Sequence, residues 1–172
     1  MTEFDSQTVQ PEDIVGRALN RVAYWSAILG GLIMSGLAIM VVVSVSGRYT
    51  LSMPIFGDFE MMAFGTAIAT FLFLPYCQMQ RGNVIVDLFL SWAPARVQGV
   101  CDLAGSLLLA LISGMISWRM AIGLEDMIHY NEVTYILAIP LWWAFPFCVY
   151  GSGLLTLCAL YTAKQDIEKI LK

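Results

Sequence analysis

Long uncharged runs alternate with short polar intervals along the whole chain. Val22 to Gly47 covers 26 residues without a charged side chain, and Met61 to Gln80 covers 20. Val97 to Trp118 is interrupted only by Asp102, and Val133 to Ala163 continues for 31 uncharged residues. A helix needs ~20 apolar residues to cross a bilayer, and every run reaches that length. In hydrocarbon each backbone polar group must be satisfied inside a helix or a closed barrel. Runs such as "GLIMSGLAIMVVVSV" lack the alternation of barrel strands. The pattern predicts an all-α membrane protein with four transmembrane helices, over about residues 22–47, 58–80, 96–119 and 139–163.

The polar intervals predict how these spans connect. Residues 1–21 read as a cytoplasmic tail ending in an amphipathic approach helix. Ile14, Val15, Ala18, Leu19 and Val22 share one face of it, away from Glu12, Asp13, Arg17 and Arg21. The acidic start (Glu3, Asp5, Glu12, Asp13) is unlike the positive leader of a cleavable signal, so the first run is expected to stay as an anchor. In "CQMQRGNVIVDLFLSW", residues 77–92, Arg81-Gly82-Asn83 forms a turn with Asn83 as N-cap. The following segment is too short to cross and is stopped by Pro94. It reads as a short horizontal helix at the inner surface, with Trp92 at the interface. The fourth span opens at Pro140 with Trp142 and Trp143 at the outer interface, and Pro146 is expected to kink it. Residues 164–172 form a cytoplasmic tail. Small residues four apart (Gly31 and Ser35, Gly65 and Ala69, Ala110 and Gly114) mark faces where helices can approach closely.

Composition and charge sharpen this picture. The chain is 59% hydrophobic and 13% charged, about half the charge of a soluble domain. Four spans put both termini on one side. That side carries Arg17, Arg21, Arg81, Arg96, Lys164, Lys169 and Lys172, against Arg48 and Arg119 opposite. The positive-inside rule therefore places both termini in the cytoplasm. In the first outer loop, "RYTLSMPIFGDFE", Pro54 and Gly57 form a turn and Asp58 is placed to cap the second helix or to complement its dipole. Arg48 closes the first helix and Glu60 opens the second. They are expected to pair, the alternative being two separately solvated headgroup anchors.

Reactive chemistry is sparse. The single histidine, His129, falls in the second outer loop, whereas a bis-histidine haem needs two imidazoles and a zinc site three or four ligands. Cys77, Cys101, Cys148 and Cys158 show no CxxC spacing and read as packing residues. No phosphate-binding or dinucleotide motif occurs. A net charge of −4 and a pI of 4.8 give no nucleic-acid footprint. The reading is of a protein that is not an enzyme and holds no cofactor or metal. Asp102 is the one acid inside a predicted span, ~9 Å along its helix. It is expected either to make a helix-packing hydrogen bond near the inner surface or to join a proton or ion pathway.

Arg48-Tyr49 after the first span, Glu60 opening the second, "RGNVIVDLF" with Asp87, and "IPLWW" with Pro146 occur in an order that resembles a known family. It is the small (DctQ-like) membrane subunit of tripartite ATP-independent periplasmic, or TRAP, transporters. The resemblance covers roughly residues 20–163. It implies a bacterial inner-membrane protein that partners a large permease subunit and, indirectly or transiently, a periplasmic substrate-binding protein. In that reading the chain is a static scaffold in ion-driven uptake of a small organic anion, binding no substrate itself. Arg48, Tyr49, Glu60, Arg81, Asp87, Trp92, Asp102, Pro140 and Trp142 are then candidates for structural or partner contacts. Many relatives carry histidine where this chain has Asn83, so no proton chemistry is assigned there. Membrane lipids are the remaining expected partner, and nucleic acid is not one. Two other readings compete: an independent small transporter or channel using Asp102 or Glu60, and a membrane anchor of a redox complex.

Overall fold

The computed structural model describes residues 14–51, 55–80 and 95–171. The expected horizontal helix, with Arg81, Asp87 and Trp92, lies outside the described residues. Four helices carry the fold: α1 (Ile14–Leu51), α2 (Asp58–Met79), α3 (Ala95–Tyr130) and α4 (Phe145–Leu171). All four are long and apolar enough to cross a membrane. A single 3-10 turn, Leu141–Trp143, precedes α4. Among the described residues no strand occurs, only an isolated antiparallel bridge between Val133 and Pro140.

Two helices are longer than their apolar runs. α1 is continuous over 38 residues, so approach helix and first span are one rod of ~57 Å. α3 runs 36 residues, through Arg119, Glu125 and Asp126, and stops before Asn131 at φ 48°. Charge ends a hydropathy window but does not end a helix. A left-handed residue does, and asparagine adopts that conformation more readily than most. Pro146 is the second residue of α4 and sits in its first turn, where a missing N–H removes no internal bond. The expected kink at Pro146 is therefore corrected. The internal proline is Pro75, buried near the end of α2.

The helices lie in a row, in the order α1, α2, α4, α3. α1 packs on α2, α2 on α4 and α4 on α3, while α3 touches neither α1 nor α2 among the described residues. α1 and α2 are antiparallel, with Gly30 against Ala69 and Leu72, and Leu37 over Gly65. α3 and α4 are antiparallel too. Their Ser113 and Thr156 hydroxyls are 3.0 Å apart, and Ser117 sits beside Gly153. α2 and α4 run parallel, with Phe71 beside Gly151 and Gln78 bonded to Thr162. Leu19, Ala23, Tyr76, Met79, Leu154, Cys158 and Tyr161 close an apolar cluster where α1 also reaches α4.

This register locates the small-residue pairs. Gly65–Ala69 and Ala110–Gly114 lie at helix contacts, whereas a side chain on Gly31 would meet nothing and Ser35 merely bonds back to its carbonyl. It also moves Arg119. Ser117 is level with Gly153, so Arg119 is level with Gly151 and Phe71, within the length of α2.

The closest backbone approach joins α2 to α4. Pro75 has no N–H, which leaves the Phe71 carbonyl without its helical donor. A Cβ placed on Gly151 would lie 2.7 Å from that carbonyl carbon and nearer still to its oxygen. Only a residue without a Cβ fits here. Gly151→Ala is expected to destabilise the fold by about 1–3 kcal/mol through overpacking, seen as a lower thermal midpoint in detergent. Gly31→Ala, facing open space, should match or slightly exceed the wild type.

Candidate functional site

Two carboxylates at the start of α2 organise one end of the row, the end that the lysine and arginine count reads as outer. Gly57, at φ 76°, supplies the left-handed turn into the helix, and its carbonyl accepts the first helical bond from Met61. Asp58 accepts the Phe59 N–H at 2.8 Å, satisfying one of the free donors of the first turn. Its other oxygen accepts the Ser44 hydroxyl of α1 at 2.6 Å and the Arg48 guanidinium at 3.4 Å. Arg48 therefore pairs with Asp58, and the expected pairing of Arg48 with Glu60 is corrected. The Arg48 side chain is 62% exposed and the contact long, so the ion pair adds little. The short Ser44 bond carries more of the contact. Tyr49, next in sequence, is exposed.

Glu60 serves a different element. Its two oxygens accept the backbone N–H groups of Ile136 and Leu137 at 2.8 and 2.9 Å. The Thr134 hydroxyl and Tyr135 amide face the same carboxylate. These residues cap a small loop closed by Thr134 N–H to Ile139 carbonyl (2.9 Å) and Leu141 N–H to Glu132 carbonyl (3.0 Å). Ala138 at φ 51° turns the chain, and Ile139 N–H donates to the Thr134 hydroxyl at 3.0 Å. Leu137 packs over Gly57, where a Cβ would lie 2.6 Å from its side chain. One carboxylate and one glycine of α2 thus hold the loop that leads into α4. Pro140 forms the bridge with Val133, and Trp142 meets Trp143 edge-on at 6.2 Å in the 3-10 turn.

A second polar cluster lies towards the C-terminal end of α4, the end that the same count reads as inner. Thr162, buried, accepts Gln78 Nε2 of α2 at 3.0 Å. One turn on, Asp166 is only 2% exposed and accepts the Ser106 hydroxyl of α3 at 3.2 Å. Asp102 is half-buried, one turn before Ser106 on α3. Asp166 falls in the stretch read from sequence as a solvated tail, where nothing distinguished it from Glu168. The Asp102-Ser106 spacing of four on α3 was the one available signal that a polar face pointed inward here. Among the described residues no group of three or more His, Cys, Asp or Glu is placed to hold a metal ion.

The outer arrangement makes a direct prediction. Glu60→Ala leaves the Ile136 and Leu137 amides without their acceptor, so their hydrogen exchange should accelerate roughly tenfold or more. Arg48→Ala, whose partner is Asp58, should leave exchange at those two amides unchanged.

The geometry is that of a packed row of spans tied by polar contacts at both ends. Comparison with known proteins gives its family. No curated protein and no solved structure matches the chain. The family described as tripartite ATP-independent periplasmic transporters, DctQ component, matches residues 37–169, from the middle of α1 to near the end of α4. The chain is a multi-pass membrane protein and belongs to the DctQ family, the small component of TRAP transporters.

Proposed function

We propose that the chain is the static scaffold subunit of a TRAP transporter, broadening the fixed part against which a large permease moves its substrate. The observation that carries this reading is the connectivity of the row. With α3 touching neither α1 nor α2 among the described residues, the four helices enclose no common interior through which a solute would pass. The described cleft is a shallow apolar groove on α2 lined by Phe59, Met62, Ala63, Thr66, Thr70 and Phe71. A transporter's own site needs converging polar groups near mid-membrane. The two carboxylates at the start of α2 are instead occupied in fastening loops and helices. In this reading the substrate is a small organic anion, delivered by a periplasmic binding protein and taken up with an ion gradient. Both termini face the cytoplasm of a bacterial inner membrane, following the lysine and arginine count.

A scaffold has parts that keep their distances through the transport cycle. The Ser113 and Thr156 hydroxyls stand 3.0 Å apart across the α3–α4 contact, so cysteines at both positions can be bridged. In proteoliposomes holding the whole transporter, the oxidised Ser113→Cys, Thr156→Cys pair should sustain uptake at close to the reduced rate. Loss of uptake on oxidation, restored by reductant, would show that α3 and α4 shift during transport and would exclude a static role.

A further inference from the structure

We infer that the face of α3 turned away from α4 is the surface that receives a transmembrane helix of the large permease, and that Arg119 is its polar anchor. This rests on the scaffold reading above, since it takes the partner to be the permease. Ser106, Ala110, Ser113 and Ser117 point α3 at α4. The opposite face carries Leu108, Leu111, Met115, Trp118 and Ile122, spaced alternately three and four apart. Leu111 is 64% and Trp118 72% exposed. That spacing is the seam by which helices pack at shallow angles, in membranes as in coiled coils. On composition alone, such a face suits lipid as well as protein.

Arg119 decides between them. It lies on this face, beside Trp118, and is exposed. Among the described residues it makes no hydrogen bond or ion pair. Glu125 and Asp126 are further along α3 and do not reach it. The register places it level with Phe71, ~20 Å from the first residue of α2 and ~12 Å from its last. Both distances exceed what an arginine side chain can cover by snorkelling to a headgroup. An arginine at such depth meets a partner, because an unpaired guanidinium in hydrocarbon is strongly unfavourable. Among the described residues no side chain fills that role, and the partner helix is assigned it. Its chemistry follows from the guanidinium: a carboxylate able to accept a two-pronged bond, or carbonyls freed at a break in a helix. The exposed face of α1, with Leu29, Leu32, Ile39 and Val42, has no charged residue at that depth, so α3 is the edge of the row marked for a protein neighbour.

The test is co-purification of the tagged chain with its co-expressed large permease in mild detergent. The wild type should bring the permease down, and Arg119→Leu should lower the recovered permease about tenfold. Arg119→Lys, which keeps the charge but not the fork, should fall between. The Arg119→Leu chain alone should stay monodisperse with an unchanged melting temperature, because among the described residues the exposed side chain makes no hydrogen bond or ion pair. If the wild type captures the permease and Arg119→Leu captures it equally, Arg119 faces lipid and the inference is wrong while the scaffold reading stands. If Arg119→Leu aggregates by itself, the arginine serves its own fold and the inference is again overturned. Failure of the wild type to associate with the permease would remove the scaffold reading and the inference with it.

Discussion

The contact between α2 and α4 holds this protein together. Among the described residues α1 is attached to the rest mainly through α2, and α3 through α4 and the 3-10 turn before it, so the molecule is two antiparallel helix pairs sharing one joint. In a membrane no hydrophobic drive presses those pairs together, because lipid tails are as apolar as the side chains they would replace. The joint must be built from close packing and from bonds with direction. It has three parts along its length. Glu60 grips the loop before α4 at the outer end, Gly151 meets the Phe71 backbone in the middle, and Gln78 bonds Thr162 at the inner end. The middle contact depends on two residues acting on one carbonyl. Pro75 leaves the Phe71 oxygen without a donor, and the missing Cβ of Gly151 lets α4 come up against it, where a weak Cα–H···O contact can form.

A joint fixed at three levels resists both hinge and sliding motions between the pairs, because any rotation about one level strains the other two. That rigidity suits the scaffold role proposed above. It also explains where the polar residues of this chain went. Gln78, Thr162, Ser106 and Asp166 are buried at the inner end, and Ser44 with Asp58 ties α1 to α2 at the outer end. Each hydrogen bond of this kind is worth only about 1 kcal/mol in a membrane, but each also fixes a register that apolar packing alone leaves free to slip. The outward faces are left almost purely apolar, and Arg119 stands out there because no internal joint has claimed it.

Much of this was legible in the sequence, and the rest failed for identifiable reasons. The four spans followed from uncharged runs, since the requirement that a crossing helix be apolar acts on every residue of it. Gly57 was read correctly as a turn residue, but the cap position falls on Gly57 itself, and Asp58 is the first residue of α2, an acid in the first turn that takes the Phe59 N–H. α1 and α3 run past their apolar stretches because hydropathy reports where lipid stops, whereas Asn131 marks where α3 stops. Arg119 was read from its place after an apolar run, and its level beside Phe71 appeared only once the Ser117–Gly153 contact fixed the register of α3 against α4. Asp166 and Gln78 were invisible, since a polar residue near a helix end looks solvated until the neighbouring helix is in place. Gly151 had no mark distinguishing it from Gly153 two residues later, although only the first meets a backbone at less than contact distance.

The pairing of Arg48 shows the same limit at its sharpest. "GDFE" offers two carboxylates two residues apart, and residues two apart on a helix point about 200° away from each other. Because α2 lies between α1 and α4 in the row, one of the two must face each neighbour. Asp58 faces α1 and takes Ser44 and Arg48, and Glu60 faces the α4 side and takes the amides of the entering loop. Sequence alone presents the two acids as interchangeable partners for one arginine. The order of helices in the row assigns them, and it makes one acid a clasp within the first helix pair and the other a clasp between the two pairs. Exchanging their roles would require α2 to turn about its own axis, which the Gly151 contact with its backbone prevents.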